Sequence, residues 1–293
     1  MYRATVMALV VMVTTAIGSS AFADGVSPWL PAPGAGFVNL SYVSQNANEF
    51  YRSDRKVPTP GPNPGQNLGQ HTVWINGMYG LSDAVAIDFR VGAARSYFAP
   101  NIPPTGGRDN YTGVTDTNIG VTWRIVDEVL CPSLPSIALR GGAIIEGSYT
   151  PGFINSIGDG ASGLEVSALT GKYFADLFAV SGEIGYRVRD EDVPSDFFFN
   201  VSGGVLVDNI GLSVNYKLID AQSGLQIGGA GFSPVTRVFP RLEEDIQFLS
   251  GTVSLNVSEQ TNIGLTYGEV IDGRNTSKSK VFSVTMGYLF DTY

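Results

Sequence analysis

Residues 280–293 read KVFSVTMGYLFDTY, a stretch with two chemically different faces. In an extended chain alternate side chains share a face, because successive side chains point to opposite sides. One face carries large apolar side chains, namely Phe282, Val284, Met286, Tyr288 and Phe290. The other carries mainly Ser283, Thr285, Gly287 and Asp291, with Val281 and Leu289 as apolar exceptions. The alternation predicts a β-strand whose apolar face is buried in a soluble sandwich or turned toward lipid in a barrel.

The amino terminus predicts export. Arg3 precedes an apolar run from Ala4 to Val13, and residues 21–23 have the small-x-small pattern of a cleavage site. A transmembrane anchor is the alternative, but the run is shorter than the roughly 18 apolar residues that a spanning helix needs. We therefore expect a cleaved signal peptide, with cleavage before Asp24. The predicted divisions are a signal peptide at 1–23, a periplasmic segment or plug at 24–35 and a barrel at 36–293.

Composition favours one large all-β domain. Charged residues make up 15% of the 293-residue chain, against roughly 25% in ordinary domains, while 36 glycines and 13 tyrosines are present. Low charge with many glycines and aromatic residues suits strands whose outer face contacts lipid. The net charge of −9 argues against a nucleic-acid partner. A single cysteine, Cys131, excludes an intramolecular disulfide and a multi-cysteine metal site.

Period-two alternation, interrupted by glycine, proline and Asx clusters, marks twelve strands. They are predicted at about 36–45, 70–80, 84–95, 114–126, 136–147, 162–173, 178–189, 197–207, 210–218, 245–257, 262–271 and 280–291. The strand at 162–173 has the weakest pattern, since neither of its faces is cleanly apolar.

The length of each connection depends on whether the strand before it has an odd or an even number. Those after odd-numbered strands include the long segments 46–69, 97–112, 148–161 and 220–244, whereas those after even-numbered strands are mostly tight. Short turns at one end and long loops at the other are typical of a barrel in the bacterial outer membrane. We therefore predict an all-β fold, a transmembrane antiparallel up-and-down β-barrel of about twelve strands.

A closed barrel pairs its last strand with its first, because lipid does not tolerate an open sheet edge. The stretch at 280–291 is the predicted closing strand. Its aromatic, amphipathic pattern is also similar to the sorting signal that the barrel-assembly machinery reads, with Phe282, Val284, Met286, Tyr288 and Phe290 as its apolar face. It departs from the usual form, since Asp291, Thr292 and Tyr293 follow the in-phase Phe290.

Several blocks resemble a known family. They are LPAPGAGFVNLSYV (30–43), NGMYGLSDAVAIDFRV (76–91), GEIGYRVRDED (182–192), GTVSLNVSEQTNIGLTYGEVIDGRN (251–275) and VFSVTMGYLF (281–290). They are similar to the family of outer-membrane barrel proteins named for the meta-pathway of phenol degradation, whose members are regarded as transporters of aromatic or hydrophobic compounds. The shared motifs are structural, and none is a catalytic signature. The resemblance implies passive uptake of small hydrophobic or aromatic compounds.

The strand faces that alternate with the apolar ones carry ten charged side chains. They are Asp88, Arg90, Arg124, Arg140, Glu146, Glu165, Glu183, Arg187, Arg189 and Lys217. Because charges are costly in lipid, we expect all ten to line a narrow lumen. Their mixed signs allow either a water-filled path or a salt-bridged interior that mostly fills the barrel, closed by pairs among Glu183, Arg187 and Arg189.

The segment after the predicted cleavage site contains Trp29, Leu30 and three prolines. It forms a short, stiff, apolar stretch. The alternatives are a plug inside the lumen, a segment along the periplasmic rim, or a disordered tail.

The enzymatic alternative is a serine–histidine acyl hydrolase. The single histidine, His71, lies at the loop end of a predicted strand without a local serine motif. We find no nucleotide-binding loop or metal-ligand spacing, so we expect no cofactor, no metal and no enzymatic activity. The expected partners are outer-membrane lipid and lipopolysaccharide, the barrel-assembly machinery, and small hydrophobic or aromatic solutes. A non-transporting barrel with a structural or surface-binding role is the alternative function.

Overall fold

The computed structural model describes residues 26–60, 64–98, 108–174, 177–233 and 237–291. The predicted signal peptide at 1–23 lies outside these ranges. The strands are β1 (Ala35–Ala47), β2 (Glu49–Arg52), β3 (Arg55–Pro58), β4 (Leu68–Ser82), β5 (Val85–Phe98), β6 (Asn110–Val114), β7 (Thr117–Val126), β8 (Ser136–Ile145), β9 (Gly163–Phe174), β10 (Phe178–Arg189), β11 (Asp196–Val207), β12 (Ile210–Ala221), β13 (Asp245–Asn256), β14 (Thr261–Arg274) and β15 (Lys280–Asp291). A 3-10 turn spans Phe239–Arg241. In the described ranges we find no helix long and apolar enough to cross a membrane.

Twelve of these strands close into an antiparallel up-and-down barrel. Each pairs with its neighbour along the chain, β4 pairs with both β1 and β5, and β15 pairs with β14 and β1. The short strand β6 lies beside the outer end of β5, next to β7. The hairpin β2–β3 forms a separate two-stranded sheet in the first external connection. The prediction of a twelve-stranded barrel is confirmed.

The closing strand pairs with the first strand along its whole length. The β1–β15 register runs from Ala35 opposite Asp291 to Asn46 opposite Lys280. Phe282, Val284, Met286 and Tyr288 are 38–52% exposed on the outer surface. Ser283 and Thr285, on the other face, are 0% and 2% exposed. The two faces of this strand therefore correspond to the outside and the inside of the barrel.

The weak pattern of the sixth predicted strand has a structural explanation in β9. Leu169 lies on the inner face and is 2% exposed, while Ala168 and Thr170 lie on the exposed outer face. An apolar residue inside and small or polar residues outside remove the contrast between the faces. Leu164 and Val166, both 61% exposed, restore the outward pattern nearer the strand start.

Connection lengths differ between the two ends of the barrel, as their spacing in the sequence predicts. One end has short turns such as 83–84, 208–209 and 257–260. The opposite end carries the long connections 48–67, 146–162 and 222–244. In known outer-membrane barrels short turns lie on the periplasmic side and long loops lie outside, so we call the first end the periplasmic end and the second the external end.

The external connections fold inward over the barrel mouth. The β2–β3 hairpin places Tyr51, 6% exposed, in a cluster with Val43, Phe248, Val270 and Val281. The backbone N–H of Tyr51 donates to the carbonyl of Thr276 at 2.7 Å. These contacts fix the hairpin against the inner wall and narrow the outer part of the lumen.

Candidate functional site: the barrel interior

A contiguous row of ion pairs crosses one inner wall, from β5 to β11. We call it the charged belt, and it comprises Asp88, Arg140, Glu165, Arg187, Arg189 and Asp196. Acids and bases alternate along it, so that each charge lies beside one of opposite sign. The belt occupies the middle and outer depth of the wall and is withdrawn from solvent.

Arg140 is the most buried cation of the belt. Its side chain is 2% exposed, and its Nη2 donates to Asp88 Oδ1 at 2.7 Å. Its Nη1 donates to Glu165, and its Nη2 also donates to Asn118 Oδ1 at 2.6 Å. Three acceptor groups around one guanidinium offset much of the cost of removing it from water.

Two glycines leave room for this guanidinium. Gly120 on β7 lies opposite Gly142 on β8. A Cβ at Gly120 would lie 2.4 Å from Arg140 Nη2, and one at Gly142 would lie 2.8 Å from Nη1. Any side chain at these positions would displace the guanidinium from Asp88. Gly120 and Gly142 therefore help to position the charged belt.

Farther along the belt, Arg187 and Arg189 share Asp196. Arg187 Nε donates to Glu165 Oε2 at 3.2 Å, and its Nη1 lies 3.9 Å from Asp196 Oδ1. Arg189 Nη2 donates to Asp196 Oδ2 at 3.3 Å and also pairs with Asp159 from the external loop 146–162. The belt thereby links the barrel wall to an external loop.

Small polar side chains cover the opposite inner wall. Ser41 and Thr285 share a hydrogen bond of 2.8 Å, and Thr252 and Thr266 share another of 2.8 Å. All four are 9% exposed or less. The low exposure of both walls shows that the lumen retains little water-accessible surface at this depth.

The periplasmic end of the lumen is crossed by the N-terminal segment, residues 26–34. Trp29 is 7% exposed and packs against Tyr173, Ala179 and Leu206 on the β9–β11 side. Leu30, 6% exposed, packs against residues on the β1–β5 side, namely Phe37, Met78 and Ala86. The segment therefore contacts both walls.

Polar contacts and glycines hold this segment. Trp29 Nε1 donates to Glu128 Oε1 at 2.5 Å, and Glu128 Oε2 accepts from the backbone N–H of Tyr173 at 3.0 Å. A Cβ at Gly171 would lie 2.6 Å from the Trp29 ring. A Cβ at Gly80 would lie 2.3 Å from the carbonyl oxygen of Ala32. Both glycines let the segment approach the wall.

The external end holds a cavity of about 340 Å³, which we call the outer cavity. Inner strand faces, the β2–β3 hairpin and the inward-folded external loops line it. Its aromatic lining consists of Phe50, Trp74, Phe153 and Phe239, and its main polar lining consists of Gln45, Gln70, Asn155, Asp159, Glu244 and Asn275. The combination of rings with a few polar groups is typical of small-molecule sites.

Asn275 ties three external connections together around this cavity. It has a positive φ of 50° and is 2% exposed. Its Oδ1 accepts from the backbone N–H groups of Ser53 at 3.0 Å and Ile227 at 3.2 Å. Its Nδ2 donates to the Glu243 carbonyl at 2.8 Å and to Gln226 Oε1 at 3.0 Å. Asparagine tolerates this left-handed conformation better than most residues.

We expect Asn275→Ala to loosen these connections without unfolding the barrel. The change leaves two partly buried backbone N–H groups without their acceptor, which costs at most about 1–3 kcal/mol per group. Limited proteolysis should then cleave within 48–60 or 222–233 faster than in the parent protein. Asn67→Ala is the control, because Asn67 lies at the same end and bonds only side chains of Asn46 and Tyr97. Equal cleavage of both variants would contradict the role of Asn275.

Glu244 is a carboxyl group of the outer cavity whose pKa is shifted by its surroundings. Burial disfavours its charged form, and the nearby charge of Asp159 acts in the same direction. Together they raise the pKa of Glu244 to about 7, although a hydrogen bond with Thr276 opposes the shift. At neutral pH this group therefore exchanges readily between its neutral and charged forms.

The structure brings together five of the ten charged residues named from the sequence, namely Asp88, Arg140, Glu165, Arg187 and Arg189. Arg90 instead stacks on the Trp74 ring at 3.9 Å, and Glu183 accepts a hydrogen bond from Asn200 at 2.8 Å. Lys217 is buried on β12. The ion pairs of Arg187 and Arg189 go to Glu165, Asp159 and Asp196 on neighbouring elements. The expected closure by pairs among Glu183, Arg187 and Arg189 stays a prediction.

Two of the ten residues lie at the ends of the barrel wall. Arg124 is at the periplasmic end of β7, where its Nη2 contacts Asp127 at 2.9 Å and the Asp83 carbonyl at 2.6 Å. The predicted strand 136–147 ends at Ile145, so Glu146 lies in the following loop and is exposed. The expectation that Glu146 lines the lumen is therefore corrected.

Sequence reasoning missed Asp196, Asp159, Asn118 and Glu128. The sequence does contain a signal for Asp196. It precedes Phe197, which faces outward, so the alternation along the strand predicts that Asp196 faces inward. Asn118 likewise alternates with the outward Ile119. Glu128 and Asp159 lie in connections, where no periodicity indicates a direction.

His71 belongs to an aromatic group on the outer surface. Its Nδ1 shares a hydrogen bond of 2.9 Å with the Tyr42 hydroxyl, and its ring stacks on Tyr97 with centroids 5.5 Å apart. The strand register sets Ser44 opposite His71, but Ser44 accepts from Asn46 at 3.3 Å. Within the described chain Ser44 and His71 share no hydrogen bond, so the arrangement lacks the coupled pair that nucleophilic catalysis needs.

Comparison with known proteins places the fold among outer-membrane channels. No protein-family model matches the chain, and no curated protein matches its sequence. The COG4313 outer membrane channel from Pseudomonas putida F1 is similar with a TM-score of 0.71 and 13% identity, covering 89% of this chain and 97% of that one. The NanC porin has a TM-score of 0.51 at 7% identity, covering 86% and 98%. The KdgM porin has a TM-score of 0.50 at 7% identity, covering 86% and 99%.

Proposed function

We propose that this protein is an outer-membrane channel for passive uptake of small compounds with a hydrophobic or aromatic body. The observation that carries the proposal is the outer cavity, which sits in the external mouth of the barrel and has four aromatic rings in its lining. A solute that enters there leaves water for an apolar surface, while the amide and carboxyl groups orient it. Structural likeness to channels and the family resemblance support the same role.

In this proposal, the N-terminal segment is a plug at the periplasmic end. Packing and hydrogen bonds hold it against the wall, so it can move out of the lumen without the breaking of a covalent bond. The charged belt orients solutes that pass between it and the hydroxyl-lined wall. Transport then requires that the plug be released and that the external loops loosen around the outer cavity.

The alternative is a non-transporting barrel with a structural or surface-binding role. The observation that favours it is the close packing of the inner walls, where Ser283 is 0% exposed and Arg140 is 4% exposed. In that case the loops around Asn275 would present a fixed surface outside the cell.

Swelling of proteoliposomes distinguishes the two roles. We expect vesicles that contain the protein to swell faster than protein-free vesicles in at least one of benzoate, phenylalanine and benzyltrimethylammonium. Arabinose serves as a small non-aromatic control, and sucrose as a larger one. Faster swelling with an aromatic solute than with arabinose supports the proposed uptake. An absence of swelling with every solute would reject the channel and leave the structural role.

A further inference from the structure

We infer that the outer cavity is a binding site for small organic cations with one aromatic or aliphatic group, and that it discriminates against carboxylates. The inference deepens the proposed function, because it names the charge class of the solute that the external mouth selects.

The ionisable lining of the cavity is entirely acidic. Among the described residues that line it, Asp159 and Glu244 are ionisable, and no lysine, arginine or histidine is present. A carboxylate ligand would therefore meet like charge and no cation among the lining residues, and it would lose its hydration. A cationic ligand would meet opposite charge in a partly desolvated site, where the attraction exceeds that in bulk water.

Glu244 is the carboxyl group of this lining for which the described chain shows no ion pair. Asp159 is paired with Arg189 of the charged belt. The adjacent Glu243 faces elsewhere, since it pairs with Arg274 at 2.6 Å and accepts from Gln226 Nε2 at 2.6 Å. The two neighbouring glutamates thus have different roles. Glu243 forms an ion pair between connections, whereas Glu244 presents its carboxyl group to the cavity.

The aromatic lining also suits a cation. Two of its rings already hold guanidinium groups of the protein, with Arg90 over Trp74 at 3.9 Å and Arg237 over Phe153 at 5.2 Å. Ring faces carry partial negative charge and attract cations most strongly when both are desolvated. Phe50 and Phe239 have no such cation over their rings among the described contacts. They are the surfaces available to a ligand.

The cavity size limits the ligand. At about 340 Å³ the cavity lies near the lower end of the roughly 300–1,000 Å³ found for small-molecule sites. A ligand of one ring with a short ammonium arm fits within this volume. Benzylamine, benzyl alcohol and benzoate are therefore suitable probes, because they have similar size and differ in charge.

Binding of these three probes to the full-length protein in detergent, measured by calorimetry at pH 8, tests the inference. We expect benzylamine to bind at least about tenfold more tightly than benzyl alcohol, which is 1.4 kcal/mol, and benzoate to bind weakest. Glu244→Gln should lower benzylamine affinity to that of benzyl alcohol. Glu243→Gln is the matched control and should keep the preference. Equal binding of the three probes, or equal loss in both variants, would overturn the inference.

The pH dependence of binding gives a second readout. Benzylamine stays protonated from pH 6 to 8, whereas Glu244 gains its charge in this range. The charged groups that face it are Asp159, Arg189 and Asp196. Benzylamine affinity should therefore rise with pH in the parent protein and stay flat in Glu244→Gln. A flat profile in the parent would overturn the role of Glu244.

Swelling experiments separate this inference from the proposed channel function. Selective benzylamine binding without swelling in any solute would support the cation site and reject the channel. Swelling with aromatic solutes, but without cation preference in binding, would support the channel and reject the cation site.

Discussion

Replacing Trp29 with alanine is expected to raise solute flux through reconstituted protein several-fold. The indole accounts for the packing against Tyr173, Ala179 and Leu206 and for the hydrogen bond to Glu128. Truncation of a buried tryptophan removes about 3–5 kcal/mol of stabilisation. Because Trp29 lies in a terminal segment rather than in a strand, we expect the loss to release the segment and leave the barrel folded.

The measurement is proteoliposome swelling in arabinose, with the folded state checked by the heat-dependent shift of barrel mobility on gels. Trp29→Phe should give a smaller increase, since the ring keeps its packing and loses only the Nε1 donor. Trp123→Ala is the control for loss of an indole, because Trp123 is 54% exposed on the outer surface. If folded Trp29→Ala protein swells vesicles at the parent rate, the N-terminal segment does not close the lumen.

The outer surface was predictable from the sequence because one simple rule decides it. Every residue that contacts lipid must be tolerable there, so large apolar side chains such as Leu212, Val214 and Val253 recur at every second position. The pattern is local and therefore visible without knowledge of neighbouring strands. In β9 the pattern is obscured, since Leu169 points inward while Ala168 and Thr170 face outward.

The interior was less predictable because its contacts depend on neighbouring strands. Arg187 lies four residues from Glu183, or roughly 13 Å along a strand at about 3.3 Å per residue, so partners come from adjacent strands at the same height. The strand register places Glu165 on β9 and Asp196 on β11 opposite Arg187 on β10. The alternation along a strand identifies such side chains as inward. It does not say how far along the barrel axis each one lies relative to the residues of neighbouring strands.

The inward folding of the external loops was beyond sequence reasoning for a different reason. The lining of the outer cavity comes from connections such as 153–159 and 239–244, which have no periodicity. Their positions depend on single polar groups, above all Asn275, whose hydrogen bonds join segments more than 200 residues apart in the chain. A candidate site assembled from non-periodic segments becomes visible only once the fold is known.

Replacing Arg140 with methionine is expected to destabilise the barrel by about 3–5 kcal/mol, because it breaks a buried ion pair from one side. Methionine fills much of the same space, so the loss arises mainly from charge. The change leaves Asp88, 5% exposed, and Glu165, 3% exposed, inside the wall. The quantity to measure is the free energy of unfolding in urea from lipid vesicles, followed by tryptophan fluorescence.

The exposed ion pair Arg241–Asp192 provides the control. Its side chains are 48% and 73% exposed and its N–O distance is 3.0 Å. Because water screens such pairs, Arg241→Met should change the free energy of unfolding by less than about 1 kcal/mol. A similar decrease in the free energy of unfolding in the two methionine variants would show that burial of the charged belt adds nothing to the effect of losing an ion pair.

Second-site changes distinguish which acid is left uncompensated. Arg140 makes all the hydrogen bonds that Asp88 accepts in the described chain. Glu165 would still accept from Asn118 at 2.7 Å and from Arg187 at 3.2 Å. Asp88→Asn should therefore restore more stability to Arg140→Met than Glu165→Gln does. The reverse order would mean that Glu165, rather than Asp88, is the acid that loses its compensation when Arg140 is replaced.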